Sequence, residues 1–144
     1  MRYLFLVPLF FFGSITLSCQ NSKLGKAPKT VEKAFQTKYP GENDPDWEID
    51  AHGNYESHFK QEGIKYRADF SPEGLWIETE TSIKTKELPK AIQKVIKEKY
   101  MIYTIAEVEK VDHHTKGIFY DVEFKQKGKN YDVEFKEDGT IINQ

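Results

Sequence analysis

Residues 120–140 read YDVEFKQKGKNYDVEFKEDGT, and the five-letter word YDVEF occurs in them twice. In each copy, apolar residues alternate with acids. Tyr120, Val122 and Phe124 share one parity, as do Tyr131, Val133 and Phe135, while Asp121, Glu123, Asp132 and Glu134 take the other. A period of two with one apolar face describes an antiparallel strand buried on one side only. The link KQKGK is short enough for a tight hairpin, with Gly128 free to take a positive φ. A two-residue turn at Lys127-Gly128 fixes the register. Phe124 then pairs with Tyr131, Val122 with Val133 and Tyr120 with Phe135. On the other face Glu123 opposes Asp132, and Asp121 opposes Glu134.

The same phrase is present earlier in the chain. Tyr55, Phe59, Gly63, Tyr66, Asp69, Phe70, Gly74 and Ile77 correspond to Tyr120, Phe124, Gly128, Tyr131, Glu134, Phe135, Gly139 and Ile142 at a constant offset. Upstream, APKTVEKAFQTKYP (27–40) corresponds to LPKAIQKVIKEKYM (88–101), with Pro28 on Pro89, Val31 on Ile92, Phe35 on Ile96 and Tyr39 on Tyr100. Matched type and spacing over this length argue for duplication. Both upstream segments read as helices. Proline suits a helix start, and the apolar residues return at three- and four-residue spacing.

The expected fold is therefore α+β. It comprises tandem helix-plus-four-strand repeats at 27–84 and 85–144, joined into an eight-stranded antiparallel sheet with both helices on one face. In the first unit the strands are expected around 47–51, 55–60, 64–70 and 75–81. The turn spacing opposes Glu56 to Asp69 and His58 to Arg67, on the face that carries Asp121 and Glu134 in the second unit.

Residues 1–18 stand apart from this pattern. Arg2 is followed by an apolar run to Phe12 and then by small and polar residues up to Cys19. That order reads as a secretory signal, and the run is too short for a membrane span of ~20 residues. Cys19 is the only cysteine, so an internal disulfide is excluded. Its position resembles the acylated residue of bacterial lipoproteins, although Thr16 stands where that family usually has leucine. Residues 19–26 then form the attachment site and linker. The alternative is secretion with a free thiol.

The whole chain carries 21 Lys and Arg against 23 Asp and Glu. That balance lacks the basic bias expected of a nucleic-acid-binding protein. The nine glycines are scattered through turns and form no phosphate loop, and no cofactor motif is present. No serine sits in a hydrolase elbow. His113 and His114 are adjacent, with Asp112 before them. Zinc sites need three or four well-spaced ligands, so this segment reads as a solvated loop and no metal site is assigned. Four alike carboxylates on an open strand face do not supply the unlike settings that acid–base catalysis requires. No enzyme activity is expected.

Tandem helix-plus-four-strand units, each with Y-x-x-x-F…G…Y-x-x-x-F…G, behind a lipoprotein-like signal, resemble the PepSY-like, β-lactamase-inhibitor-like family of exported bacterial proteins. The resemblance covers about residues 27–144. It implies a binding module whose open sheet face grips a protein or peptide partner, with inhibition of an envelope enzyme as the sharpest form. The face so implied comprises Glu56, His58, Arg67, Asp69, Asp121, Glu123, Asp132 and Glu134. Trp76 joins it if Leu75 and Ile77 point inward, whereas a bulge at Gly74 would reverse that parity. The expected address is the cell envelope, lipid-anchored on the periplasmic side of the outer membrane. A second reading has the unit-two carboxylates hold a cation, and a third leaves them as a solvated face neutralised by Lys125 and Lys136.

Overall fold

A computed structural model describes residues 22–144. The signal segment and Cys19 lie outside the described residues. The chain order is β1 (Ser22–Leu24), α1 (Lys29–Lys38), β2 (Asp46–Ile49), β3 (Tyr55–Gln61), β4 (Ile64–Phe70) and β5 (Trp76–Ser82). After a 3-10 turn come α2 (Lys90–Lys99), β6 (Thr104–His113), β7 (Gly117–Gln126), β8 (Lys129–Phe135) and β9 (Ile141–Asn143). The strands form one antiparallel sheet in sequential order, β1 through β9. Eight of them follow the alternation in the sequence. The ninth, β1, falls in the stretch expected to be linker, where it pairs with β2 through Ser22–Ile49, Lys23–Glu48 and Leu24–Trp47. Among the described residues no helix is long and apolar enough to cross a membrane.

The turns explain the register. Lys127 and Gly128 both take positive φ (52° and 79°), as do Glu62 and Gly63 (52° and 80°). Two successive positive values make a type I′ turn, whose twist matches that of the flanking strands. The β7–β8 pairs are those the two-residue turn requires, including Glu123–Asp132 and Asp121–Glu134. In β3–β4, Glu56 faces Asp69 and His58 faces Arg67.

The helix ends are alike too. Pro28 and Pro89 sit just outside the helices as N-caps, with φ −57° and −51°. At the other ends, Tyr39 and Tyr100 donate their backbone N–H groups to the carbonyls of Phe35 and Ile96.

Both helices lie on one face, as pairing across the strands shows. Ala68 and Phe70 pack under α1 with Val31, Phe35, Trp47 and Phe59. Ala68 pairs with Thr79, Thr79 with Asp112, and Asp112 with Ile118. Strand parity then carries that face along β7 to Tyr120, Val122 and Phe124. These three pack with Leu88, Ile92, Val133 and Phe135 in the core beneath α2. Phe35 is 1% exposed and meets Phe59 edge-on at 5.2 Å, with Tyr39, Trp47 and Phe70 around it. Burying one such ring stabilises by roughly 1.5–3 kcal/mol. Each helix thus seals its own apolar cluster, and among the described residues no helix or strand lies over the opposite face of the sheet.

Candidate binding face

Strand alternation puts the acids on that uncovered face in cross-strand rows. Glu48, Glu56, Asp69 and Glu78 form one row across β2 to β5. His58, Arg67 and Glu80 form the next. Across β6 to β8 run Glu109, Asp121 and Glu134, and beside them Glu107, Glu123 and Asp132. Directly opposed like charges weaken a sheet by roughly 0.2–1 kcal/mol per pair, so the face is built at some cost to the fold.

Several of these groups are hidden although no helix or strand among the described residues covers them. Glu56 and Asp69 are 7% exposed and Glu80 is 6% exposed. Val111 and Phe119 share the face and are also buried. Side chains from neighbouring rows converge there, Glu80 with Arg67 and Glu109, and Asp69 with Arg67, Glu56 and Glu78. Register shifts beside Asp69, Ile105 and Glu134 interrupt the ladders, and bulges increase the local twist.

Convergence makes the acids unlike one another. The Arg67 guanidinium donates from Nη2 to Glu80 Oε1, and its Nε lies 3.8 Å from Glu56 Oε2. Glu56 also accepts a hydrogen bond from His58 Nε2 at 2.6 Å. That bond holds the Glu56 carboxyl below the ordinary range and raises His58 above its own. Burial pushes Asp69 up to about 7, beyond what Arg67 offsets. Burial, with Glu109 close beside it, pushes Glu80 up to about 9. Asp121 rises to about 6 through burial and the charges of Asp132, Glu134 and Glu109. Asp69 Oδ1, Glu80 Oε2, Asp121 Oδ1 and Arg67 Nε are buried with no hydrogen-bond partner. An unsatisfied buried polar atom costs on the order of 1–3 kcal/mol. The expectation of alike, solvated carboxylates is therefore corrected.

The eight charged residues expected to share the open face all lie on it. Trp76 does not. A bulge in β5 lets Trp76 pair with Phe70 while Glu78 pairs with Asp69, which turns the indole to the helix face. There Trp76 packs on the α1 cluster, donates from Nε1 to Thr79 Oγ1 at 3.0 Å, and lies under Lys38 Nζ at 3.5 Å. Five further acids, Glu48, Glu78, Glu80, Glu107 and Glu109, were not anticipated. Alternation within DWEI (46–49), IETET (77–81) and AEVEKVD (106–112) carries their signal, but their face depends on pairings between hairpins.

Glu107, Glu109, Asp121, Glu123 and Asp132 line a depression of about 220 Å³ with Arg67. A broader groove of about 1060 Å³ lies at the seam between the two helix-bearing halves, among Ile64, Lys65, Ile83, Lys84, Ile105 and Lys110. Near the open face, Glu48, Glu56 and His58 bring ligand atoms within 4.8 Å of one another. His113 acts in a turn, where its Nδ1 accepts from the Thr115 and Lys116 backbone N–H groups.

A family model described as "Putative beta-lactamase-inhibitor-like, PepSY-like" matches residues 53–143. The chain belongs to this PepSY-like family. The match takes in α2 and β3 to β9, and α1 and β2 lie outside it. Solved structures extend the likeness to most of the chain. A BLIP-like protein from Bacteroides fragilis is 21% identical, with a TM-score of 0.69 over 82% of this chain and 84% of that one. A structure described among "putative periplasmic proteins" of Bacteroides eggerthii is 20% identical, with a TM-score of 0.74 over 83% and 88%. A DUF2874 family protein from Bacteroides uniformis is 22% identical, with a TM-score of 0.74 over 82% and 88%. At these identities the likeness is one of fold, so the PepSY-like chain shares the BLIP-like architecture. No curated protein matches it.

Proposed function

We propose that this chain is a non-catalytic binding module of the cell envelope, exported by residues 1–18 and lipid-anchored through Cys19. In this reading it is built from duplicated units at 27–84 and 85–144. It holds a protein partner against the uncovered sheet face, and its sharpest form is inhibition of an envelope enzyme. One observation carries the reading. The face opposite both helices gathers rows of carboxylates with buried, unpartnered oxygens at Asp69, Glu80 and Asp121. A fold that tolerates such cost on an open surface gains when a basic surface covers it. The description of the Bacteroides fragilis neighbour as BLIP-like and of the Bacteroides eggerthii neighbour as periplasmic supports the mode and the address.

The test is retention of an envelope protein by residues 20–144 at rising salt. Screening shortens from ~10 Å at 0.1 M to ~3 Å at 1 M. Retention that falls with salt supports the acidic face, and retention indifferent to salt contradicts it. A second reading, a hard cation in the depression around Asp121, is favoured by its unpartnered Oδ1. A melting temperature unmoved by millimolar calcium removes that reading, because a ligand of the native state must stabilise it.

A further inference from the structure

We propose that Glu48, Glu56 and His58 bind a divalent first-row transition ion, with Asp69 as the carboxylate behind them. His58 and Glu56 stand two residues apart on β3 and so share a face, and Glu48 lies directly across from Glu56 on β2. Their ligand atoms all lie within 4.8 Å of one another. Around a tetrahedral zinc, with bonds of roughly 2.0–2.2 Å, ligand atoms stand about 3.4 Å apart. An ion therefore replaces the 2.6 Å hydrogen bond between His58 Nε2 and Glu56 Oε1, with Glu48 closing in from β2.

A second observation points to the same place. Asp69 lies directly across from Glu56 on β4, is 7% exposed, and keeps a buried Oδ1 with no partner. Arg67 gives it no hydrogen bond, since the guanidinium donates to Glu80 and its Nε lies toward Glu56. A cation seated between Glu56 and His58 brings positive charge to this row, and Glu78 on the next strand deepens the negative field. Imidazole with carboxylates is a donor set suited to zinc, copper or nickel, whereas calcium and magnesium prefer oxygen alone. The site lies in the first half of the sheet and is separate from the depression around Asp121.

The experiment uses residues 19–144 carrying Cys19→Ser, so that no thiol competes for the probe. Zinc chloride, and separately calcium chloride, are titrated against the melting temperature and by calorimetry. The partner variants are His58→Ala and Glu48→Gln. The His58 side chain is 43% exposed, so its removal opens no cavity in either core. Zinc is expected to raise the melting temperature with one equivalent bound, and each substitution is expected to weaken affinity at least roughly tenfold. Any rise with calcium, which belongs to the depression around Asp121, is expected to survive both substitutions. No zinc-dependent rise, a zinc-dependent rise that survives both substitutions, or a calcium-dependent rise that is lost with them overturns the assignment.

Discussion

Glu80 lies directly across the β4–β5 pair from Arg67, gives Oε1 to the guanidinium, and keeps Oε2 buried without a partner. Glu109 reaches it from β6, and Glu78 and Glu56 add negative charge on the same face. On β7, Asp121 is surrounded by Glu109, Asp132 and Glu134.

With Asp69, these carboxyls set an unusual pH dependence. Glu80 rises from 4.5 to about 9 on folding, Asp69 from 3.8 to about 7 and Asp121 from 3.8 to about 6. The folded chain therefore binds protons that the unfolded chain releases, and stability falls as pH rises through each window. Glu56 acts in the opposite sense, but only as pH falls below its ordinary 4.5. The melting temperature is expected to decline by several degrees from pH 5 to pH 9. Glu80→Gln should flatten that decline and raise the value at pH 9. A profile that is flat or rising across the range in the wild type contradicts the buried-carboxyl account.

The turn glycines divide into two kinds. A Cβ at Gly74 would lie 3.0 Å from the Thr30 carbonyl oxygen, and one at Gly139 would lie 3.1 Å from that of Ala91. Gly63 and Gly128 have similar φ but nothing within 4 Å of an added Cβ. Alanine at any of the four pays the left-handed backbone penalty of roughly 1–2 kcal/mol. At Gly74 and Gly139 the turn also presses on the first turn of a helix, so alanine there should cost roughly 1–3 kcal/mol more. Urea denaturation of the four variants checks the split, and equal losses at all four would contradict the docking of turn on helix.

The α1 and α2 clusters share no buried residue. Phe35→Ala should cost roughly 3–5 kcal/mol, as should Phe135→Ala in the other half. Hydrogen exchange should show Phe35→Ala stripping protection from β2 to β4 while β7 and β8 keep more of theirs. Uniform loss along the sheet would show the two clusters to be one cooperative unit.

What the sequence disclosed follows from locality. The Lys127-Gly128 turn and the alternation of YDVEF depend on neighbours a few residues apart, so the β7–β8 register and its opposed acids were legible in full. The helices were legible for the same reason, apart from Pro28 and Pro89 sitting one position outside them. Trp76 stayed open between the two faces because one bulge residue in β5 reverses parity. Glu80 and Glu109 were missed because their approach is set by β5 meeting β6 across the interval that contains α2. The burial of Asp69 and Glu80 was not legible at all, since the groups around them come from strands of several hairpins.

Asp121 and Glu134, opposed on β7 and β8, test the central claim of an acidic partner-binding face. Glu134 forms one ion pair, with Lys116 Nζ at 3.7 Å. Exposed pairs of this kind are worth about 0–1 kcal/mol, and reversing two mutually repelling acids should not lower the melting temperature. The measurement is affinity capture from an envelope extract by residues 20–144, beside the Asp121→Lys/Glu134→Lys variant, read by mass spectrometry. The account expects a protein held by the wild type and lost by the variant at an unchanged or higher melting temperature. The same proteins held equally by both would contradict it.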